Sequence, residues 1–422
     1  MPVDVLLGLQ WGDEGKGKVV DYLAPRYQLI ARFQGGPNAG HTLEFNGIKH
    51  VLHQIPSGIF HEDIKNVIGN GVVLDPIVFK KEIEGLSKYG LSFRNLYISK
   101  KAQLIVPTHR ILDLVYEKAM GDKKIGSTLK GIGPCYQDKI GRHGLRIGDL
   151  TQADFRQKYS SLIERHKKLL GHFNHEVDFE ALNLEFFEAV ELLKTFNLVD
   201  SEYFINQAIA EGQSILAEGA QGSMLDIDFG SYPYVTSSST MVAGACTGLG
   251  VAPKHIREVF GILKAYSTRV GSGPFLTELN DPIGEYIRTQ GHEFGSTTGR
   301  PRRTGWLDLP ALKYASMISG ITQLFLMKVD VLDDLDEIKV CTGYLSNGEV
   351  ASTPPSETNL SDLEPDYVHF PGWKCSTRQL KSFDALPSAL SKYISFIEQN
   401  MGVNIHMVST GPDRLHTLIK DC

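Results

Sequence analysis

Cysteine is scarce in this chain, with five residues in 422, and no two of Cys135, Cys246, Cys341, Cys375 and Cys422 form a CxxC pair or stand near histidines. That spacing argues against a disulfide framework and against a cysteine-held metal, so the five read as reduced thiols. Long apolar runs are missing too. No stretch approaches the ~20 apolar residues that span a bilayer, and the first residues show no basic segment ahead of an apolar one. The expectation is a soluble, cytoplasmic protein. Positive charge is not in excess: a formal net charge of -6 and a pI near 6.2 provide no global basic field, which removes nonspecific nucleic-acid binding as the default function. No Gly/Ser linker, low-complexity block or internal repeat divides the chain.

What is present is a hydrophobic fraction of 42%, enough for a large core. Short runs rich in Val, Ile and Leu recur at 5–9, 29–33, 215–217, 259–263, 324–329 and 405–408. Such runs suit strands buried on both faces, and several end in Gly or polar residues. They predict an α/β fold with a mostly parallel central sheet and helices on both faces. Between about 150 and 212 the pattern becomes helical, with apolar residues at helical spacing in 154–170 and 179–196. The expected organisation is one domain over 1–422, carrying a largely helical insertion around 150–212. Catalytic groups are expected in the loops that follow the strands.

One such loop is rich in glycine and lysine. Residues 8–18, GLQWGDEGKGK, follow a strand-like run and precede 19–23, VVDYL, which can open a helix. Strand, glycine turn and helix start place backbone N–H groups and a helix dipole against an anion, and a lysine adds full charge. The stretch departs from the P-loop pattern GxxxxGK[ST] at both ends: Gln10 stands at the first Gly, and Gly17 follows Lys16 where a Ser or Thr is expected. Asp13 and Glu14 would repel a phosphate unless one binds a metal or takes a proton, so an acidic pair here implies Mg²⁺ or proton transfer.

The nine residues QWGDEGKGK (10–18) resemble the N-terminal signature of adenylosuccinate synthetases, and the resemblance continues through most of the chain. Further matches are GGPNAGHT (35–42), GIGPCYQDK (131–139), EGAQG (218–222), YPYVTSS (232–238), GRPRRTGWLD (299–308), KVD (328–330) and STGPDR (409–414). Members of that family use GTP to phosphorylate O6 of IMP, after which the amino group of L-aspartate displaces phosphate at C6. The resemblance implies a GTP-dependent ligase of purine biosynthesis, Mg²⁺-dependent and homodimeric.

It also implies roles for particular residues. Asp13 would be the base that removes the N1 proton of IMP, and a Mg²⁺ ligand together with the carbonyl of Gly40. His41 would contact the transferring phosphoryl group as an acid, Lys16 would neutralise the β and γ phosphates, and Gln221 would hydrogen-bond IMP near O6. The GTP site would run through Gly12, Asp13, Glu14, Gly15, Lys16, Gly17 and Lys18, then Gly40, His41 and Thr42. Its guanine pocket would use Lys328, Val329 and Asp330 with Ser409, Thr410 and Gly411, because a carboxylate accepts from both N1–H and the N2 amino group of guanine. IMP would further meet Asn38, Ala39, Thr128, Thr236 and Arg300, with Arg142 supplied by the neighbouring subunit. Aspartate would meet Ser296, Thr297, Thr298 and Gly299 with Arg300 and Arg302, Arg302 also reaching the guanine nucleotide.

This chain departs from the common pattern at 127–130, Ser-Thr-Leu-Lys in place of Thr-Thr-Gly-Arg. A turn requiring positive φ there would strain Leu129. A regulatory GTP switch is the alternative function, since it too needs phosphate and guanine sites. It would more naturally carry the hydroxyl after Lys16 and has no use for Gln221 or the Arg300 loop.

Overall fold

The computed structural model describes residues 3–45, 47–173, 178–295, 299–346, 349–351 and 363–420. A ten-stranded sheet forms its centre. In chain order its strands are β1 (Val3–Gly8), β2 (Leu29–Arg32), β3 (Lys65–Ile68), β4 (Leu96–Ser99), β5 (Asn197–Val199), β6 (Ile215–Glu218), β7 (Ile256–Lys264), β8 (Gln323–Met327), β9 (Ile405–Ser409) and β10 (Thr417–Ile419). Their spatial order is β10-β9-β8-β7-β1-β6-β2-β3-β4-β5. Every pairing from β9 to β5 is parallel, and only the edge strand β10 runs antiparallel.

Alternation along the strands explains the two buried faces. Val3, Val5 and Leu7 of β1 join one hydrophobic core with Leu29 and Ala31, while Leu6 and Ile30 point into another. The first core is closed by helices Ser201–Ala210, Val242–Leu249, Leu309–Ser319 and Ser388–Met401. The second is closed by Val19, Val20 and Leu23 of α1 (Lys16–Leu23). The reading of these apolar runs as strands buried on both faces is therefore correct.

All six strand-like runs of the sequence lie in this sheet. Three further parallel strands, β3, β4 and β5, are short and half polar, as in Lys-Asn-Val-Ile, which hides them from a hydrophobicity reading. The span 150–212 holds helices Phe155–Gly171, Phe179–Leu193 and Ser201–Ala210 and also β5, the outermost strand of the sheet. A separate antiparallel set, with Glu337–Ser346 pairing Glu349–Ala351 and Glu364–Pro371, packs beside the first core. No described helix is long and apolar enough to cross a membrane.

β1 lies between β6 and β7, with Leu6 level with both Glu218 and Phe260. The C-terminal ends of β1, β2, β6, β7, β8 and β9 thus open onto one edge, and the loops that leave them converge there.

Candidate functional site

Those loops surround a cavity of about 1040 Å³. Its phosphate-like turn is built by three departures from an ordinary P-loop. Gln10 carries a side chain because its amide joins the loop to β7: Nε2 donates to the carbonyl of Tyr266 at 2.9 Å, and Oε1 accepts from the amide of Lys264 at 3.0 Å. Glu14 turns inward, fully buried, and its carboxylate accepts from the amides of Gln10 and Gly12 at 3.1 and 2.8 Å and from Lys16 Nζ at 2.6 Å. Gly17 lacks a side chain because a Cβ there would come within 2.9 Å of His41 Cβ and 3.2 Å of its carbonyl carbon. A hydroxyl after Lys16 is thus excluded by packing, and the helix start is held against His41 instead. Gly15 caps that helix in the left-handed region at φ 98°, where a side chain would be strained.

His41 opens the hairpin His41–Phe45/Ile48–Leu52 and reaches β6. Its Nδ1 lies 2.5 Å from Glu218 Oε1, while the amide and hydroxyl of Ser57 donate to the same carboxylate at 2.8 and 2.6 Å. Burial lowers the His41 pKa to about 4, reinforced by Arg32, against the opposing pull of Glu218. Burial alone would raise Glu218, but His41, Arg32 and Ser57 keep its carboxyl below the usual range. The ring is therefore neutral with its proton on Nδ1, and its buried Nε2 has no protein partner. Glu218 was not singled out in the sequence as a site residue. The signal was available in a Glu ending a buried strand, where an unpaired carboxylate would be costly.

Asp13 sits at φ 59° beside Arg302, whose Nε is 2.8 Å from Oδ2, an ion pair without hydrogen-bond alignment. Gln221 also takes a left-handed conformation, φ 57°, and both atoms of its buried amide lack partners. Such an amide at a cavity wall has both its donor and its acceptor free to meet a ligand. Asn38 Oδ1 is likewise buried without a partner. Ala39, Gly40, Thr42, Thr128 and Thr236 complete this side of the wall.

The opposite side is formed after β8 and β9. Asp330 and Lys328 line it with Ser409 and Gly411, and Arg378 approaches Asp330 Oδ2 at 3.4 Å. Lys18 spans this half: its Nζ donates to Ser409 Oγ and to the carbonyls of Gly411 and His416, at 2.7, 2.8 and 2.8 Å. Burial brings its pKa down to about 8, against the raising effect of Asp330. Lys18 is thus a brace for the 409–411 turn. Val329 and Thr410 are buried behind the wall, and Arg142, Gly299 and Arg300 lie outside it. Arg142 is exposed at the C-terminal end of helix Ile132–Gly141, and Arg300 adjoins the loop at Gly126. Ser296, Thr297 and Thr298 fall outside the described residues. Leu129 does adopt positive φ, 57°, so the strain expected at that turn is present.

Among the described residues, one three-residue cluster has metal-ligand composition, His109, Asp138 and His166, and it lies away from the cavity wall. Its hydrogen bonds disfavour a metal. The amide of Val106 donates to His109 Nδ1 at 3.0 Å, so that ring carries its proton on Nε2 and donates it to Asp138 at 2.9 Å. His166 Nε2 meets the same oxygen at 2.8 Å, and its Nδ1 is engaged by Thr108. A metal-bound Nε2 would need the proton on Nδ1, where a donor already points.

A family model for adenylosuccinate synthetase matches residues 5–418. The chain belongs to this family. It is 61% identical to the adenylosuccinate synthetase of Cytophaga hutchinsonii over 426 aligned residues, covering 100% of this chain and 99% of that one. It is 57% identical to that of Flavobacterium johnsoniae, with 100% of both chains covered. The fold matches the fully ligated adenylosuccinate synthetase of Plasmodium falciparum with a TM-score of 0.94, at 41% identity and 100% coverage of both chains. Adenylosuccinate synthetases are ligases of purine biosynthesis that join IMP to aspartate with GTP, and a match along the whole chain leaves no place for the GTP-switch alternative.

Proposed function

We propose that the whole chain acts as one adenylosuccinate-forming unit, with IMP on the β2/β6 side of the cavity and GTP across α1 toward β8 and β9. What carries this reading is the presence on one cavity wall of Asp13, the free Nε2 of His41 and the unpaired amide of Gln221. Neutral IMP is a poor nucleophile at O6. Asp13, taking the N1 proton, would spread negative charge onto O6, and the Gln221 amide would hold that edge of the base. O6 then attacks the γ-phosphorus of GTP, the bond to the β–γ bridging oxygen breaks, and GDP leaves with that electron pair.

His41 supports the transfer through its partner. An anionic phosphoryl group approaching Nε2 favours the imidazolium that burial and Arg32 disfavour, and Glu218 balances its charge from Nδ1. Lys16 holds the turn through Glu14 and brings its charge to the phosphates. In the second step the aspartate amino nitrogen attacks C6, the C6–O6 bond breaks so that phosphate leaves with O6 and its electron pair, and a proton is lost from nitrogen. Arg302 is suited to a substrate carboxylate.

The donors around Asp13 fit Mg²⁺. One carboxylate, the Gly40 carbonyl and substrate phosphates are hard oxygen ligands of the kind that ion prefers, and the ion would supply charge neutralisation between the phosphates. We place Arg142 across the interface of a cytoplasmic homodimer, a reading supported by its exposure and its absence from the lining of this subunit's cavity. An assay that omits IMP, aspartate or GTP in turn tests the function: adenylosuccinate formation should require all three, and sustained GDP release in the absence of IMP and aspartate would overturn it.

A further inference from the structure

Behind the cavity wall lies a buried carboxylate, Glu293, to which the reaction above assigns nothing. Glu293 is fully buried, yet its carboxylate accepts five hydrogen bonds. Lys264 Nζ reaches both oxygens at 2.9 and 3.0 Å, Tyr266 donates its hydroxyl to Oε1 at 2.6 Å, Lys328 Nζ to Oε1 at 2.8 Å, and Arg302 Nη1 to Oε2 at 2.6 Å. The backbone repeats the tie, the amide of Arg302 donating to the carbonyl of Glu293 at 2.9 Å.

Three cations with one carboxylate at their centre are costly to bury unless each is tightly held. The arrangement has a direction. Lys264 ends β7 and is wholly enclosed, so it anchors the carboxylate from the core side. Arg302 and Lys328 face the cavity, one carrying Asp13 on its Nε and the other two residues ahead of Asp330. Burial takes the Lys264 ammonium down to about 7 even beside Glu293, while Glu293 itself is held well below the carboxylate range by Lys264, Lys328 and Arg302 against the effect of burial. Without the carboxylate, among the described residues Arg302 keeps only Asp13 as a side-chain partner, and Lys328 keeps only the carbonyl of Gly291.

We propose that Glu293 is a positioning residue for the GTP half of the site, holding Arg302 and Lys328 as a fixed pair of cations and fixing the orientation in which Arg302 meets Asp13. The inference rests on the placement of GTP at β8 and β9 given above. Because Gln221 and Asn38 stand on loops after β6 and β2 and touch no member of this cluster, losing Glu293 separates the substrates. A general loss of structure would not do so.

The test is steady-state kinetics on the full-length Glu293→Gln protein, with its thermal unfolding measured alongside. The expected result is a rise of about tenfold or more in KM for GTP, a fall in kcat, and a KM for IMP within about twofold of wild type. Equal rises for GTP and IMP, or no rise for either, would overturn the proposal. If Glu293→Gln does not fold, Glu293→Asp keeps the charge but retracts the carboxylate by one methylene, and the same split is expected at about threefold. Asp330→Asn separates this inference from the reading beneath it. Lost GTP-over-ATP preference in Asp330→Asn, without a split in either Glu293 variant, refutes the role of Glu293 alone. Unchanged preference removes guanine from β8 and the proposal with it.

Discussion

Replacing Gly17 with serine would give this chain the lysine–hydroxyl pair of an ordinary P-loop, and the structure predicts that the change disables it. A Cβ at this position would lie 2.9 Å from His41 Cβ, 3.2 Å from its carbonyl carbon and 3.3 Å from its Cα, against ordinary contact at 3.4 Å or more. Two of those three atoms are backbone, so no flexible side-chain end can swing away. The hairpin start must retreat by about half an ångström, and the imidazole, tied at Nδ1 to Glu218, is carried with it. Overpacking of this kind costs about 1–3 kcal/mol, offset by about 1 kcal/mol for replacing a helical glycine, so a folded protein is expected. Misplacing a reacting group by ~1 Å costs on the order of 10²-fold in rate, so half that shift predicts a fall of roughly tenfold or more in kcat. The assay is kcat and KM for all three substrates in Gly17→Ser and Gly17→Ala, with thermal unfolding. Alanine separates the added volume from the hydroxyl, and both variants should fall together. A kcat within about threefold of wild type in both would refute the reasoning, since the contact would then not hold His41 in place.

Asp13→Asn should keep much of its nucleotide binding and lose most turnover, because the amide preserves shape while removing the base; near-normal turnover with IMP in a steady-state assay would reassign that role. Mixing inactive Arg142→Leu and Asp13→Ala subunits should restore activity: with random exchange about half the dimers are mixed, so roughly a quarter of all sites carry neither defect. No recovery after demonstrated exchange would place Arg142 outside the partner's site. His41 is held near 4 in the folded chain and titrates near 6.5 when unfolded, so the unfolded state binds the extra proton between those values. Its contribution to stability is complete above about pH 6.5 and is lost as pH falls toward 4; the thermal midpoint should decline less over that window in His41→Asn than in wild type.

Strand burial and the loops that follow were legible because parallel strands enclosed on both faces are apolar over most of their length, as 215–217 and 324–327 are. β3, β4 and β5 were not, since Lys65, Asn66 and Asn197 interrupt the pattern toward the sheet edge. Within the site, Asp13, His41 and Gln221 could be named from their motifs. Their environment could not. That Glu14 turns inward to brace Lys16, that Lys18 braces the 409–411 turn, and that Glu218 and Glu293 pair with cavity groups all depend on contacts between residues far apart in sequence. The oddities of the N-terminal loop were visible as departures from GxxxxGK[ST], but their causes, the Gln10 staple to β7 and the approach of His41 to Gly17, exist only in three dimensions.

The place of β1 in the sheet has a consequence for how the chain comes to be folded. β1 precedes every other strand of the sheet along the chain, yet both neighbours it pairs with, β6 and β7, come after residue 214. During translation it must wait, apolar on both faces and with both edges open, until well past half the chain has left the ribosome. Contacts of such high sequence separation make folding slow, because the loop entropy is lost before the pairing is gained. The glycine-lysine turn that follows β1, though made before β6 and β7, therefore takes shape late, and a nascent chain halted before β7 would hold the complete motif without the structure around it.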